Sequence, residues 1–422
     1  MRSDFGKETR LVLALVSLAF LGADWANFRG PDSTATSLDS KTPTYWSKRS
    51  GVAWKFALPG AGGSSPIVWV DKVFVTCYSG YGLDQDEPGD PKKLRLQLLC
   101  VDVNDGKLAW AREIEPRMPE QEYRGFLALH GYASSTPATD GERVYVFAGQ
   151  TGVIAFTMAG KPVWKADVGD GLDDWGSGTS VVLHDELVIV NASVESGSIV
   201  ALKKADGSEA WRFEGVERSW STPVVATSKD GREELVVSMK GKAFGLSPDS
   251  GEKLWECESV DDYVCPSVIA HDGVAYITGG RKPFCMALRL GGSGDGASPH
   301  ILWEIKATPK VATPLYHDGR LHWVDNRGKA VCVDAASGDV VYEEEIEIEG
   351  RGDKVYSSLV LAGGQLYCVT RQGGVIILKS GAEFEEVTRN DLGDSSVFNA
   401  TPAVAGDRLL LRSDQFLYCL GE

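Results

Sequence analysis

The stretch SSTPATDGERVYVFAGQTGVIAFTMAGKPVW, residues 134–164, decides the fold. Extended to Val168, it reads as four short β segments, STPAT, RVYVFAG, GVIAFTM and PVWKADV, each closed by a turn. Val, Ile, Tyr and Phe dominate the middle segments, and such side chains suit a pleated, half-buried surface. Asp140-Gly141 separates the first two, where a tight hairpin turn needs positive φ. Ala159-Gly160 precedes the last segment, and Trp164 follows Gly160 by four residues. The pattern recurs along the chain, anchored at Pro66, Pro137, Ser180, Pro223, Pro266, Pro314, Ser358 and Pro402, with spacings of 71, 43, 43, 43, 48, 44 and 44. A period in the 40s, with several strands per unit and no helical periodicity, implies one propeller blade per repeat. The expected fold is all-β: an eight-bladed β-propeller of four-stranded blades.

The aromatic positions predict how the ring closes. After the anchors come Trp110, Trp164, Trp211, Trp255, Trp303, Tyr342 and Phe384, one short of eight. The last unit stops at Leu420 without an outer strand, while Trp54 stands upstream of the first anchor in VAWKF. Val52–Phe56 is therefore expected to pair onto the C-terminal unit, which removes the free edge. The domain reading is a signal peptide over 1–23, an N-terminal arm over 24–50 and the propeller over 51–422. Arg29 in FRGP is a candidate to dock the arm on the ring. Deleting 24–40 is expected to remove only an appendage, at far less cost than deleting 51–58.

Composition is that of a globular chain, 43% apolar and 24% charged, with a net charge of −16. So acidic a ring repels phosphate backbones, which excludes nucleic acid as a partner. Arg2, Lys7 and Arg10 precede an apolar run from Leu11 to Ala23. That run is short for a membrane span and fits an export signal, with cleavage before Asp24. The protein is expected in the periplasm or secreted, with no membrane span after cleavage, and monomeric. No Cys follows the run, so no lipid anchor is expected.

Eight cysteines invite a disulfide reading. Cys100, Cys332 and Cys419, however, share one column of the repeat with Ala155, Ala201, Gly245 and Ala287, a column that wants a small side chain. Cys265 is read as taking the Ser/Thr place before Pro266. Mostly free, buried thiols are expected, with Cys77, Cys257, Cys285 and Cys368 left open.

Ligands and partners of a propeller meet the mouth, where loops enter the innermost strands. Residues that share this position are His130 and Tyr132, Trp175, Arg218 and Trp220, Tyr263, Lys310, Tyr356 and Asn399. Aromatic, Arg and His side chains converging on a concavity suit binding. The competing reading packs Trp175 and Trp220 between blades and pairs Arg218 with a carboxylate. No metal site is expected: Asp84, Asp86, Glu87 and Asp90 lack calcium-loop spacing, and Asp170, Asp173 and Asp174 read as a solvated loop. No catalytic residues are assigned, since neither a Gly-x-Ser-x-Gly nor a phosphate-binding loop occurs.

The repeat, with its Gly turn and docking Trp, resembles the quinoprotein-type (PQQ-like) propeller repeat over roughly residues 50–420. The opening DWANFRGPDSTATS, the GGSSP that follows and the HGYASSTP and SWSTP stretches resemble the secreted BamB-like repeat proteins of planctomycete bacteria. The quinoprotein enzymes, by that resemblance, would hold PQQ against an adjacent Cys-Cys disulfide beside calcium. This chain has no adjacent cysteines, so neither PQQ with calcium nor any other cofactor is expected. The reading is a non-catalytic exported scaffold that binds an envelope protein or peptide through a funnel face or blade edges. The alternatives are a carbohydrate or small-molecule binding module and a PQQ-dependent oxidoreductase.

Overall fold

The computed structural model describes residues 25–291 and 300–421; the expected signal segment lies outside them. The stretch quoted above forms one sheet of Ala138–Thr139, Arg143–Phe147, Val153–Thr157 and Pro162–Ala166. Seven further sheets repeat the design, giving an eight-bladed propeller. Blades 1 to 7 cover 67–114, 138–166, 182–214, 224–258, 269–305, 315–345 and 360–391, and blade 8 is built on 403–420. Each blade runs from its innermost to its outermost strand in chain order, so every innermost strand points the same way along the axis.

The small-residue column has a packing cause. Cys100, Ala155, Ala201, Gly245, Ala287, Cys332 and Cys419 lie directly across from Trp110, Trp164, Trp211, Trp255, Trp303, Tyr342 and Trp54. A β-bulge adjoins each of these pairs, which re-aims the large ring toward the next blade. There the indole meets the following Gly turn: a Cβ on Gly207 would come within 2.6 Å of Trp164, and one on Gly251 within 2.5 Å of Trp211. The indole N–H groups complete the dock. Trp164 donates to the Lys204 carbonyl at 2.8 Å, Trp211 to that of Pro248 at 2.9 Å and Trp303 to that of Ala335 at 3.0 Å. Trp255 instead donates to the buried Glu234 carboxylate at 2.6 Å, which also accepts from the Gly291 amide of blade 5. All eight cysteines are free.

Val52–Ala57 supplies the outer strand of blade 8, antiparallel to Phe416–Leu420, and Trp54 docks on blade 1 through the Val103 carbonyl at 2.7 Å. Blade 7 departs from the expected pattern. Phe384 precedes its outer strand, Glu386–Asp391, and receives Tyr342 of blade 6 at 5.8 Å. The position across from the small-residue column is Thr388. The arm fills this gap. Trp46, 1% exposed, stacks on Tyr367 at 6.4 Å. Tyr367 occupies the second-strand position whose ring lies against the docking Trp in blades 1, 2 and 5. Asn390 fixes this segment by accepting from the Trp46 amide and donating to the Thr44 carbonyl.

The expectation that 24–40 is an appendage is corrected by the same arm. Trp25 forms a β-bridge with Val68 of blade 1, Thr139 of blade 2 donates to Ala26, and Thr36–Ser37 adds in parallel to Val360–Ala362 of blade 7. Arg29 does dock the arm. It is 1% exposed and donates to the Thr313 and Pro314 carbonyls of blade 6 and to Ser33. The arm thus crosses one end of the central channel, touching the innermost strands of four blades, before running outward beside blades 7 and 8.

A second correction concerns Cys265. The Ser/Thr place of blade 5 belongs to Ser267, two residues on. The geometry is decisive because these residues form a closed circuit. The backbone N–H of Ser65 donates to Thr136 Oγ, Thr136 to Ser180, Ser180 to Thr222, Thr222 to Ser267, Ser267 to Thr313, Thr313 to Ser358, Ser358 to Thr401, and Thr401 back to Ser65. Every bond joins neighbouring blades at 2.9–3.2 Å. One position per repeat therefore stitches the ring around its axis.

Candidate functional site

The arm and the mouth lie at opposite ends of the channel, as chain direction shows. In blades 1, 2 and 7 the arm contacts Val68, Thr139 and Leu361, each three residues beyond the ring hydroxyls of Ser65, Thr136 and Ser358. The expected mouth residues all precede the ring. Between them lies a cavity of about 410 Å³, lined by all eight ring residues, with Phe28 of the arm among its walls. Its size falls in the roughly 300–1,000 Å³ range of small-molecule sites.

His130, Trp175, Trp220, Tyr263, Lys310, Tyr356 and Asn399 line this cavity. Arg218 sits exposed at its rim, 5.4 Å above the Trp175 ring and 5.6 Å from Trp220. Its contact is thus cation–π rather than the ion pair of the competing reading. Tyr132 is turned away. It packs with Tyr78, Tyr81 and Tyr123 and donates to the Gln121 carbonyl at 2.7 Å, outside the cavity. Its neighbour Gly131, at φ 72° and pressed against Tyr78, redirects the chain between His130 and Tyr132.

The aromatic wall is continuous. Trp175 meets Phe126 at 4.6 Å, Trp220 at 4.8 Å and Tyr263 edge-on at 4.5 Å. His130 Nε2 donates to the Trp175 carbonyl at 2.8 Å, so the neutral ring accepts from Ser134 through Nδ1. Burial lowers the His130 pKa, which keeps it neutral and structural near pH 7. Arg371 lies 4.4 Å over Tyr356 and donates to Asn399 and to Leu129, locking the opposite wall. Tyr356 donates to Asp353 at 2.7 Å, and Asn326 donates to the other oxygen of the same carboxylate.

Aromatic rings, hydroxyls and amides dominate this wall. Burial pushes the Cys265 thiol up to about 12, so no thiolate nucleophile forms there. Among the described residues Asp353 is the one carboxylate on the cavity lining, and Cys265 has no neighbouring cysteine. A calcium and a disulfide floor for a quinone would need more than that. Among the described residues, the one grouping with three possible metal ligands is His184, Asp185 and Asp249, which is not part of the lining.

The sequence missed Phe126, Asp353, Asn326 and Arg281 on the lining. Phe126 lies inside a long insertion, and the others come from loops outside the position used to align the repeats. It also missed Glu195, buried behind the Trp175 loop. Its carboxylate accepts from Ser177, and its carbonyl accepts from Gly171. Burial raises its pKa from 4.5 to about 7, with the partly buried Glu120 adding to the rise. The fold therefore favours the protonated acid. This contribution is complete below the unfolded pKa of 4.5, falls away as pH rises to about 7 and is absent above. Glu195→Gln should match the parent near pH 4 and exceed it by roughly 1–3 kcal/mol near pH 8 in denaturant melts.

Comparison with known proteins follows the same geometry. The family described as "Outer membrane protein assembly factor BamB" matches residues 95–282 and 295–411. No curated protein matches by sequence. Among solved structures, BamB from Moraxella catarrhalis is similar at a TM-score of 0.63 and 13% identity, over 88% of this chain and 97% of that one. Quinohemoprotein alcohol dehydrogenase from Comamonas testosteroni is similar at 0.66 and 12%, over 95% and 81%. The computationally designed Ika8 protein is similar at 0.60 and 10%, over 88% and 100%. At these identities the likeness is one of fold.

Proposed function

The chain belongs to the family of the outer membrane protein assembly factor BamB, and from that premise we propose that it is a non-catalytic scaffold that docks a cell-envelope protein at its open mouth. The observation that carries this reading is a one-sided apolar rim. Three loops, 80–94, 115–134 and 167–178, pack on one another above blades 1 to 3. Arg117 pairs with Asp167 at 3.1 Å, Gln121 donates to Asp174 at 2.8 Å, and the Tyr123 amide donates to Tyr81 at 3.1 Å. This bracing holds Leu83, Met118, Phe126 and Leu172 exposed to solvent, with Phe126 53% exposed. Exposed apolar side chains on braced loops mark an interaction surface. Two of the same loops, 80–94 and 167–178, expose Asp84, Asp86, Glu87, Asp90, Asp170 and Asp174. The partner segment is accordingly apolar and basic, and salt should slow its association.

Export to the periplasm supplies such a partner, and no helix among the described residues is long and apolar enough to cross a membrane. A quinone dehydrogenase is disfavoured by the single carboxylate and lone thiol of the cavity lining. The test is affinity capture from the native envelope fraction. The parent protein should retain one discrete partner that a Met118→Asp/Leu172→Asp variant loses at least tenfold, with unchanged melting. Equal retention by both would overturn the rim assignment.

A further inference from the structure

The ring that stitches the blades uses its hydroxyls only as acceptors. Each of the eight hydroxyl oxygens accepts one backbone N–H, yet none of their O–H groups meets a protein acceptor among the described residues. All eight residues are at most 8% exposed, and all eight face one cavity. Buried donors find acceptors in native proteins, either water or ligand, so an occupant that displaces water from this cavity must present a belt of oxygen atoms.

The rest of the lining narrows the chemistry. Asn326 Oδ1 is buried and unpaired, because its amide nitrogen is turned to Asp353. Asp353 on the lining accepts one protein hydrogen bond at each oxygen and keeps further acceptor capacity, so an occupant can donate as well as accept. Lys310 makes no ion pair among the described residues and balances Asp353 across the lining, while Arg281 is matched by Asp262 at 3.7 Å. Those four charges cancel, and Arg218 adds a cation only at the rim, over Trp175 and Trp220. Trp175, Trp220, Tyr263 and Tyr356 present apolar ring surface above the polar belt. Oxygen atoms that both donate and accept, no net charge and an apolar carbon face together describe one ligand class.

We propose that the cavity binds a neutral polyhydroxylated ring: a mono- or disaccharide, or the end of a glycan chain. Its hydroxyls meet the Ser/Thr belt, Asn326 and Lys310, and its C–H face packs on the aromatic wall. The arm crosses the far end of the channel, so a polysaccharide enters by its terminus and is not threaded. This site meets the rim at Phe126, which belongs to both, so the two are told apart by variants at Met118 and Leu172, which lie outside the lining.

Titrate the purified full chain with glucose, N-acetylglucosamine, maltose, cellobiose and citrate, following Trp fluorescence and heat. The expected result is saturable one-to-one binding of at least one neutral sugar in preference to citrate. Lys310→Met and Asn326→Ala should each weaken it at least tenfold, while Met118→Asp/Leu172→Asp leaves it unchanged. Should Asn326→Ala fail to fold, Lys310→Met decides alone. Three outcomes overturn the proposal: no saturation by any sugar up to about 10 mM, preference for citrate, or sugar binding indifferent to the cavity variants.

Discussion

Deleting residues 51–58 is expected to abolish the folded monomer. Val52–Ala57 is the outer strand of blade 8, and its Trp54 is the dock of that blade on blade 1. Without it, Phe416–Leu420 becomes an open edge, and the two blades that meet at the chain ends lose their indole contact. An unpaired edge in a ring is a template for aggregation. Losing one buried Trp alone costs about 3–5 kcal/mol. Losing a whole strand with it approaches the total stability of a domain, about 5–15 kcal/mol. Size-exclusion chromatography should show aggregate or no soluble protein. A monomer melting within a few degrees of the parent would contradict closure by this strand. Because the arm is built into the channel, removing 24–40 should also lower the melting temperature, while the ring stays closed and monomeric.

Trp46→Ala should be as damaging as the loss of a docking Trp from any blade, about 3–5 kcal/mol. Nothing in its local sequence, PTYWSKRS, belongs to the repeat. Its role comes from a deficit elsewhere: blade 7 carries Thr388 where the other blades carry an aromatic ring, and Trp46 takes that place against Tyr367. Trp255→Ala in blade 4 is the internal standard. It too is buried, and it leaves the Glu234 carboxylate with one partner fewer. Denaturant melts of the two variants should agree within about 1 kcal/mol. A Trp46→Ala protein as stable as the parent would show that the arm merely rests on blade 7.

These two cases show what the sequence can reveal. Blade number, strand order, the Gly-to-Trp step and the small-residue column are periodic, so each is written eight times or nearly so and survives a local lapse. The lapses are where reading failed. Phe384 was the nearest aromatic to a vacant position, but the register places it ahead of its strand. Cys265 stood before a proline like its counterparts, yet the hydrogen-bonded circuit runs through Ser267. The mouth was legible to the same extent. Seven residues from the loops that enter the innermost strands do line the cavity, because those loops are equivalent by symmetry. Tyr132 failed because the positive φ of Gly131 turns the chain beside it. Phe126, Asp353 and Asn326 were invisible because loops outside the aligned position carry them. The arm, met once and without repeat, gave no signal of its course beyond Arg29.

Partners are proposed to meet this protein at one mouth of the propeller, above blades 1 to 3. Site-specific photocrosslinking in the native cell tests it most directly. A photoreactive side chain is placed at Phe126 on the rim, or at Val340 on the exposed outer strand of blade 6. The expected result is one discrete protein adduct from position 126, reduced at high salt, and none from position 340. An adduct from position 340 with none from 126 would contradict it.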